Sequence, residues 1–269
     1  MAELDLHDIL ELEKYDLSGK KGDVSVDILD AGGEFASVLK DVPVEKNLIT
    51  IAVKKYMDAK GKGGHFVFSV TKNIPSGAGL GGGSSNAAAA LRIVSDLFDK
   101  DPDRDLLSIA SSTGSDVPFF LTGGFAFIEG RGEAVSDTGF YDESYVVLVN
   151  NGIHINTGFA YESLKKPVSD IVVNCENRKK LIIERIGNKS GWKDIFKNDF
   201  EKSIFGLYPQ LAEIKEKMYK NGAFFASMTG SGSTIFGLFK DEHSAVNAQK
   251  ILEHDGDNVY CTKFRSGKN

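Results

Sequence analysis

Between Ile74 and Ala90 the chain reads IPSGAGLGGGSSNAAAA, with five glycines in the seven positions from Gly77 to Gly83. Glycine permits positive φ and removes the side chain that would hold a phosphate away. Successive backbone N–H groups in such a turn can therefore converge on an anion. The alanine run that follows opens a helix, whose unpaired first N–H groups and dipole favour negative charge at the same place. Pro75, Gly77, Gly79, Leu80, Gly81, Gly82, Gly83, Ser84, Ser85 and Asn86 are the candidate lining of a phosphate cradle, with the Leu80 side chain anchoring the loop. Ser84 or Ser85 can cap the helix, contact a phosphoryl oxygen or approach its magnesium ion. Asn86 stands where an amide can bond phosphate or ribose.

Two familiar glycine patterns do not fit. No lysine follows the glycines in the manner of GxxxxGK[ST]. A dinucleotide fingerprint can be laid on Gly77, Gly79 and Gly82, but Asp96 falls inside the following helix and closes no βαβ unit. A second glycine-serine turn, Gly230-Ser231-Gly232-Ser233, joins two strand-like runs within FFASMTGSGSTIFGLF, residues 224–239; an ordinary hairpin turn reads the same way.

These loops need elements to hold them. Residues 23–29 alternate as a strand, 47–60 carry apolar residues at helical spacing, and HFVFSV at 65–70 reads as a strand entering the loop. From Ser84, Ala87, Ala90, Leu91, Val94, Leu97 and Phe98 form one helical face, which should stop near Lys100, before Pro102. Residues 105–111 suggest a short helix and 113–118 a turn. Residues 119–130 suggest two short strands around Gly123-Gly124. After a polar break at 139–143, YVVLVN is a buried strand, 157–220 is mostly helical, and the pattern ends strand, strand, helix, strand. In the helical stretch Ile204, Leu207, Leu211, Ile214 and Met218 share one face. This order suits helices layered on an antiparallel sheet, an α+β class, with domains at 1–143 and 144–269.

The 269 residues suffice for a substantial core. A net charge of −6 argues against non-specific binding to nucleic acid or an anionic membrane, and leaves room for a local basic pocket for a phosphorylated substrate. The first residues have no basic segment followed by an apolar one, and no run approaches the ~18 apolar residues of a membrane span. Cys175 and Cys261 lie far apart and suggest neither a disulfide framework nor a metal knuckle, so the expected setting is the reducing cytoplasm.

PSGAGLGGGSSNAAAA resembles the nucleotide-binding loop of the GHMP kinases, the superfamily of galactokinase, homoserine kinase, mevalonate kinase and phosphomevalonate kinase. Its form GLGGGSSNAA is similar to that of the branch acting on a cytidine-diphosphate-linked methylerythritol. TGSDVPFFLTGGFAFIEGRGE, residues 113–133, and MTGSGSTIFG, residues 228–237, are similar to two further signatures of these enzymes, in the same order. The resemblance implies an N-terminal domain like domain 2 of ribosomal protein S5 and a ferredoxin-like C-terminal α/β domain, with an active cleft between them. It implies transfer of the γ-phosphate of ATP, with Mg²⁺, to the 2-hydroxyl of 4-diphosphocytidyl-2-C-methyl-D-erythritol in the non-mevalonate isoprenoid pathway. Another kinase of the superfamily, or an ATP-binding relative with impaired chemistry, fits the same motifs. Partners would be this small molecule alone, without nucleic acid or membrane, and the chain a monomer or homodimer.

By the same resemblance Asp116 matches the family's acidic residue, the catalytic base beside the acceptor hydroxyl, although an Asx turn ahead of Pro118 also suits its position. Ser115 shapes the acceptor's approach, as does Gly114, and Gly230, Ser231 and Gly232 flank the phosphate and substrate. Thr157 and Tyr161 align with a segment that helps bind the acceptor; Tyr161 can stack on a pyrimidine or sit in a helix core. Lys72 and Asn73 precede the loop where family members contact the nucleotide. The family opens with a strand carrying lysine and asparagine, then a Gly-Tyr-His segment that holds cytosine. Residues 4–16 resemble the segment just after or overlapping Gly-Tyr-His, with His7 nearest the histidine and Leu6 where tyrosine is expected. The first domain is therefore expected to lack the family's opening strand. A missing piece of chain is favoured over true loss, because a lost strand leaves a sheet edge needing protection.

Overall fold

The computed structural model describes residues 1–98, 105–164, 175–253 and 257–265, with the side chains of 175–178 excepted. The expected end of the helix near Lys100 lies outside the described residues, as do 165–174 within the helical stretch and the side chain of Cys175. The chain divides into two compact units, one of 1–76 and 81–137, the other of 77–80 and 138–269. The division thus falls at 137/138, and the tip of the glycine loop belongs with the C-terminal unit.

The first unit contains β1 (Ile9–Asp16), β2 (Val24–Asp30), α1 (Val38–Asp41), α2 (Leu48–Lys60), β3 (Gly64–Thr71), α3 (Gly82–Asp96), α4 (Leu106–Thr113), α5 (Val117–Thr122), β4 (Ala126–Glu129) and β5 (Ala134–Asp137). Its three-stranded sheet has the order β1-β3-β2, with β1 antiparallel and β2 parallel to β3. The helical crossover between β2 and β3 is what a parallel pair requires. Asn47 caps α2 by accepting from Ile49 N at 3.0 Å, and Gly61, with φ of 65°, ends it. Ile49, Ala52, Val53, Tyr56 and Met57 of α2 and Ala87, Ala90, Leu91 and Val94 of α3 bury against Val26, Phe66, Phe68 and Val70 of the sheet. The alanines let the two helices approach closely, and β3 delivers its C-terminal end to the glycine loop.

The second unit contains β6 (Tyr145–Asn150), α6 (Thr157–Ser163), α7 (Cys175–Arg185), α8 (Trp192–Ile195), α9 (Glu201–Leu207), α10 (Pro209–Lys220), β7 (Phe225–Met228), β8 (Ile235–Phe239), α11 (Glu242–Glu253) and β9 (Asn258–Lys263). Its sheet has the order β7-β8-β6-β9 with every neighbour antiparallel, a ferredoxin-like arrangement. Val147, Val149, Ile235, Phe239, Ala226 and Met228 bury with Leu211, Ile214, Met218, Ala245, Ala248 and Leu252 of α10 and α11. Alternate strand residues turn the other way. There the Trp192 ring meets Phe225 at 5.9 Å, and Phe225 meets Phe236 at 5.8 Å.

Three expectations need correction. Residues 119–122 of the expected strand pair, with Val117 and Pro118 of the expected turn, form α5, because Pro118 presets the first helical turn and Phe119 is buried; Gly123, with φ of 72°, then ends the helix before β4. α3 starts at Gly82, two residues before Ser84, since Gly81 takes the left-handed conformation and turns the chain directly into the helix. The face shared by Ile204 through Met218 is broken at Tyr208-Pro209 into two helices, which leaves Leu207 54% exposed.

Candidate active site

In the first unit the glycine loop is gathered by Asp8, the residue before β1. Its carboxylate, with no exposed side-chain surface, pairs with Lys72 Nζ. Asp8 Oδ1 accepts from Asn73 N at 2.7 Å and Ile74 N at 2.8 Å, and Oδ2 accepts from Asn86 Nδ2 at 2.9 Å. Lys72 and Asn86 are buried, so the Asn86 amide faces this carboxylate. Asn73 Nδ2 donates to His7 O at 3.0 Å, while the His7 ring is exposed and its Nδ1 faces Asp5 O.

No side chain caps α3. Gly81 holds φ of 72°, and beyond an exposed Gly83 an added Cβ would meet only Leu48 Cδ1, at 3.6 Å. The first turn thus presents uncapped N–H groups beside open space at Gly83, an arrangement that suits an anion. The two serines differ. Ser85 Oγ donates back to Gly82 O at 2.8 Å, whereas Ser84 Oγ is half-exposed with no partner among the described residues. Pro75 is buried at the loop's entrance.

Asp116 stands at the N-cap of α5, with no side-chain cap bond. Its own surface is exposed, yet the protein mass around the carboxyl removes part of its hydration and pushes its pKa above the usual carboxylate range. The turn is backed by the β4–β5 hairpin. Gly132, with φ of 118°, is so close that an added Cβ would stand 1.9 Å from Ser115 O.

In the second unit the turn after β7 receives the loop tip. Ala78 O accepts from Thr229 Oγ1 at 3.3 Å and Thr234 N at 3.4 Å. Gly79, with φ of 73°, leaves room where a Cβ would press Gly232 O and Thr229 Oγ1, each at 2.8 Å. A Cβ on Gly77 would meet His154 Nδ1 at 2.5 Å. Leu80 is half-buried. The turn itself is braced from outside: Asn198 Nδ2 donates to Met228 O and Gly230 O at 2.8 Å, and Glu201 Oε1 accepts from Met228 N at 2.9 Å. Thr157 Oγ1 lies 3.3 Å from Ser231 Oγ. Tyr161 is 64% exposed, edge-on to Phe200 at 5.0 Å between ring centres, and is no core residue.

The expected site residues therefore fall into two groups. Gly81, Gly82, Gly83, Ser84, Ser85, Asn86, Ser115, Asp116 and His7 belong to the first unit. Gly77, Gly79, Leu80, Thr157, Tyr161, Gly230, Ser231 and Gly232 belong to the second. Asp8, His154, Asn198, Glu201 and Thr229 escaped the sequence reading. Their partners lie far along the chain, and none carries a local pattern, except that Thr229 adjoins the glycine-serine turn. Lys72, expected beside the nucleotide by resemblance, is buried, and its ammonium pairs with Asp8.

Residues 47–124 match the family model for the GHMP kinases N terminal domain, and 178–258 that for GHMP kinases C terminal. The chain is 36% identical to 4-diphosphocytidyl-2-C-methyl-D-erythritol kinase of Chlorobium phaeobacteroides strain BS1, over 80% of this chain and 76% of that protein. It is 33% identical to the enzyme of the same name from Thermodesulfovibrio yellowstonii, over 94% and 84%. A crystal structure of 4-(cytidine 5'-diphospho)-2C-methyl-D-erythritol kinase superposes with a TM-score of 0.71 at 26% identity, covering 99% of this chain and 89% of that one. Homoserine kinase from Cytophaga hutchinsonii, at 21% identity, shares the fold with a TM-score of 0.72, over 94% of this chain and 87% of its own.

Proposed function

Since this chain belongs to the GHMP kinases, in the 4-diphosphocytidyl-2-C-methyl-D-erythritol kinase family, we propose that it phosphorylates the 2-hydroxyl of that cytidine-diphosphate-linked polyol. The observation that carries this reading is an uncapped helix start behind left-handed glycines, together with a partly desolvated Asp116 in the same unit.

ATP is the family's phosphate donor and supplies the γ-phosphoryl group. The backbone N–H groups at Gly82, Gly83 and Ser84 hold its phosphate oxygens, with help from the helix dipole. Ser84 is the serine we assign to the accompanying Mg²⁺, because the Ser85 hydroxyl is turned back into its helix. Asp116 orients the acceptor hydroxyl and accepts its proton. As the hydroxyl oxygen bonds to the γ-phosphorus, the bond to the bridging oxygen breaks and ADP departs with that electron pair. A pKa raised by lost hydration makes the carboxylate a stronger base than a free aspartate.

On the acceptor side, Thr157 and Ser231 offer hydroxyls, the backbone of Gly230 and Gly232 lies beside them, and the exposed Tyr161 ring offers a stacking face for cytosine. His7 and Ser115 complete the set by resemblance alone. Among the described residues no helix is long and apolar enough to cross a membrane. A cytoplasmic setting, and action as a monomer or homodimer without nucleic acid, belong to the same proposal. An acceptor panel tests it: ADP release should be far faster with the cytidylated methylerythritol than with homoserine or mevalonate. Preference for either of those would overturn the substrate assignment.

A further inference from the structure

One buried carboxylate holds both ends of the glycine loop. Asp8 takes the entering strand at three successive residues, through the Lys72 ammonium and the N–H groups of Asn73 and Ile74. Its Oδ2, the oxygen paired with Lys72, also takes the departing helix through the Asn86 amide, while Oδ1 serves the two main-chain N–H groups. Everything between, from Pro75 to Ser85, is the candidate phosphate cradle. The Lys72 main chain is pinned independently, with its N donating to Gly32 O at 2.8 Å and its O accepting from Phe35 N at 2.9 Å. Gly82 lets the lysine reach across, because a Cβ there would stand 3.0 Å from Lys72 Nζ and 3.0 Å from Ile74 Cγ2.

A buried carboxylate with four donors satisfies charge and hydrogen bonding together, which a low-dielectric site demands. The donors also have a fixed geometry, since two are main-chain groups at the end of β3 and one lies on α3. Movement of the helix start relative to the strand end would strand at least one of them. The arrangement holds the first turn of α3 in place before any ligand arrives, and preformed donors bind more tightly than donors that must be ordered on binding. Neither the hydroxyls of Ser84 and Ser85 nor the glycines alone supply that restraint.

We propose that Asp8 is a positioning residue for the phosphoryl donor, tying Lys72–Ile74 to Asn86 so that the helix-start N–H groups stand preformed. The inference rests on the reading of this loop as the ATP cradle. Asp8→Asn keeps an acceptor for Asn73 and Ile74 but turns an NH₂ toward Lys72 and Asn86, which are themselves donors. The double variant D8N/N86D returns a carboxylate to the cluster from the helix side, with the new amide at position 8 donating to it.

The test is equilibrium binding of a non-hydrolysable ATP analogue with Mg²⁺, together with amide exchange of the ligand-free protein over residues 75–86 and the acceptor KM at saturating ATP. D8N should weaken the analogue's Kd by about tenfold or more, speed exchange in 75–86, and leave the acceptor KM within about twofold. D8N/N86D should recover at least half of the lost affinity on a logarithmic scale. An unchanged Kd and exchange rate in D8N would overturn the proposal, as would equal losses toward both substrates or no recovery in the double variant. Should D8N not accumulate as soluble protein, D8E shifts the carboxylate by one methylene while retaining its charge, and the same measurements decide. Wild-type protein that does not bind the analogue would instead overturn the reading of the loop.

Discussion

Gly132 lies against the main chain of Ser115 so closely that a Cβ would stand 1.9 Å from the Ser115 carbonyl oxygen and 2.6 Å from its carbonyl carbon. Its φ of 118° excludes ordinary L side chains as well. Gly132→Ala must therefore displace the turn that carries Asp116. A misplacement of about 1 Å can cost about 100-fold in rate. Steady-state kinetics should show kcat down by about 10- to 100-fold, with the affinity for ATP within about twofold of wild type.

Asp116→Asn removes the proposed base while nearly preserving shape. Loss of general-base catalysis predicts kcat lower by about 10²- to 10⁴-fold. The carboxyl's folded pKa is raised by lost hydration, so ionised Asp116 costs folding free energy above that pKa, and the cost disappears below the unfolded value. At neutral pH the asparagine variant should therefore melt no lower than wild type. The acid limb of kcat/KM should lie above the unperturbed aspartate value of about 3.9, and be absent from the variant's residual rate.

Gly83→Ala separates stability from binding. The position is helical and exposed, and a methyl group there meets only Leu48 Cδ1, at 3.6 Å. Replacing a helical glycine by alanine should stabilise the protein by about 0.5–1 kcal/mol. The same methyl group occupies the space assigned to the phosphate. The melting temperature should rise while the Kd for ATP increases by about tenfold; a rise in both stability and affinity would contradict the cradle.

Tyr161 tests the acceptor side. The ring is exposed, and its edge-to-face contact with Phe200 holds it. Base stacking on an aromatic ring is worth about 1–3 kcal/mol. Tyr161→Ala should raise the acceptor KM by about 5- to 100-fold with the KM for ATP unchanged, and Tyr161→Phe should behave as wild type.

The fold was legible in the sequence where the signal is local. The glycine loop, the helix after it, β2, β3, β6 and the paired strands around the 229–234 turn follow from period and turn residues. α5 was misread because Phe119 and Phe120 look like strand residues, while Pro118 and the burial of Phe119 favour a helical turn. The break at Tyr208 was hidden by an apolar spacing that runs through it. Asp8 was illegible for a different reason. Its meaning lies in four donors at Lys72, Asn73, Ile74 and Asn86, and periodicity within LHDILELE points to none of them. The grouping of Gly77–Leu80 with the second unit likewise depends on Thr229, Thr234 and His154, far away in sequence.

The most direct test of the account is to incubate the protein with Mg²⁺, ATP and 4-diphosphocytidyl-2-C-methyl-D-erythritol and to follow the products by ³¹P NMR. The account predicts stoichiometric ADP and a new phosphomonoester on the 2-oxygen of the acceptor, formed at a rate that falls by about 10²-fold or more in Asp116→Asn. A phosphoryl group on another oxygen, ADP without a phosphorylated acceptor, or full activity in Asp116→Asn would contradict it.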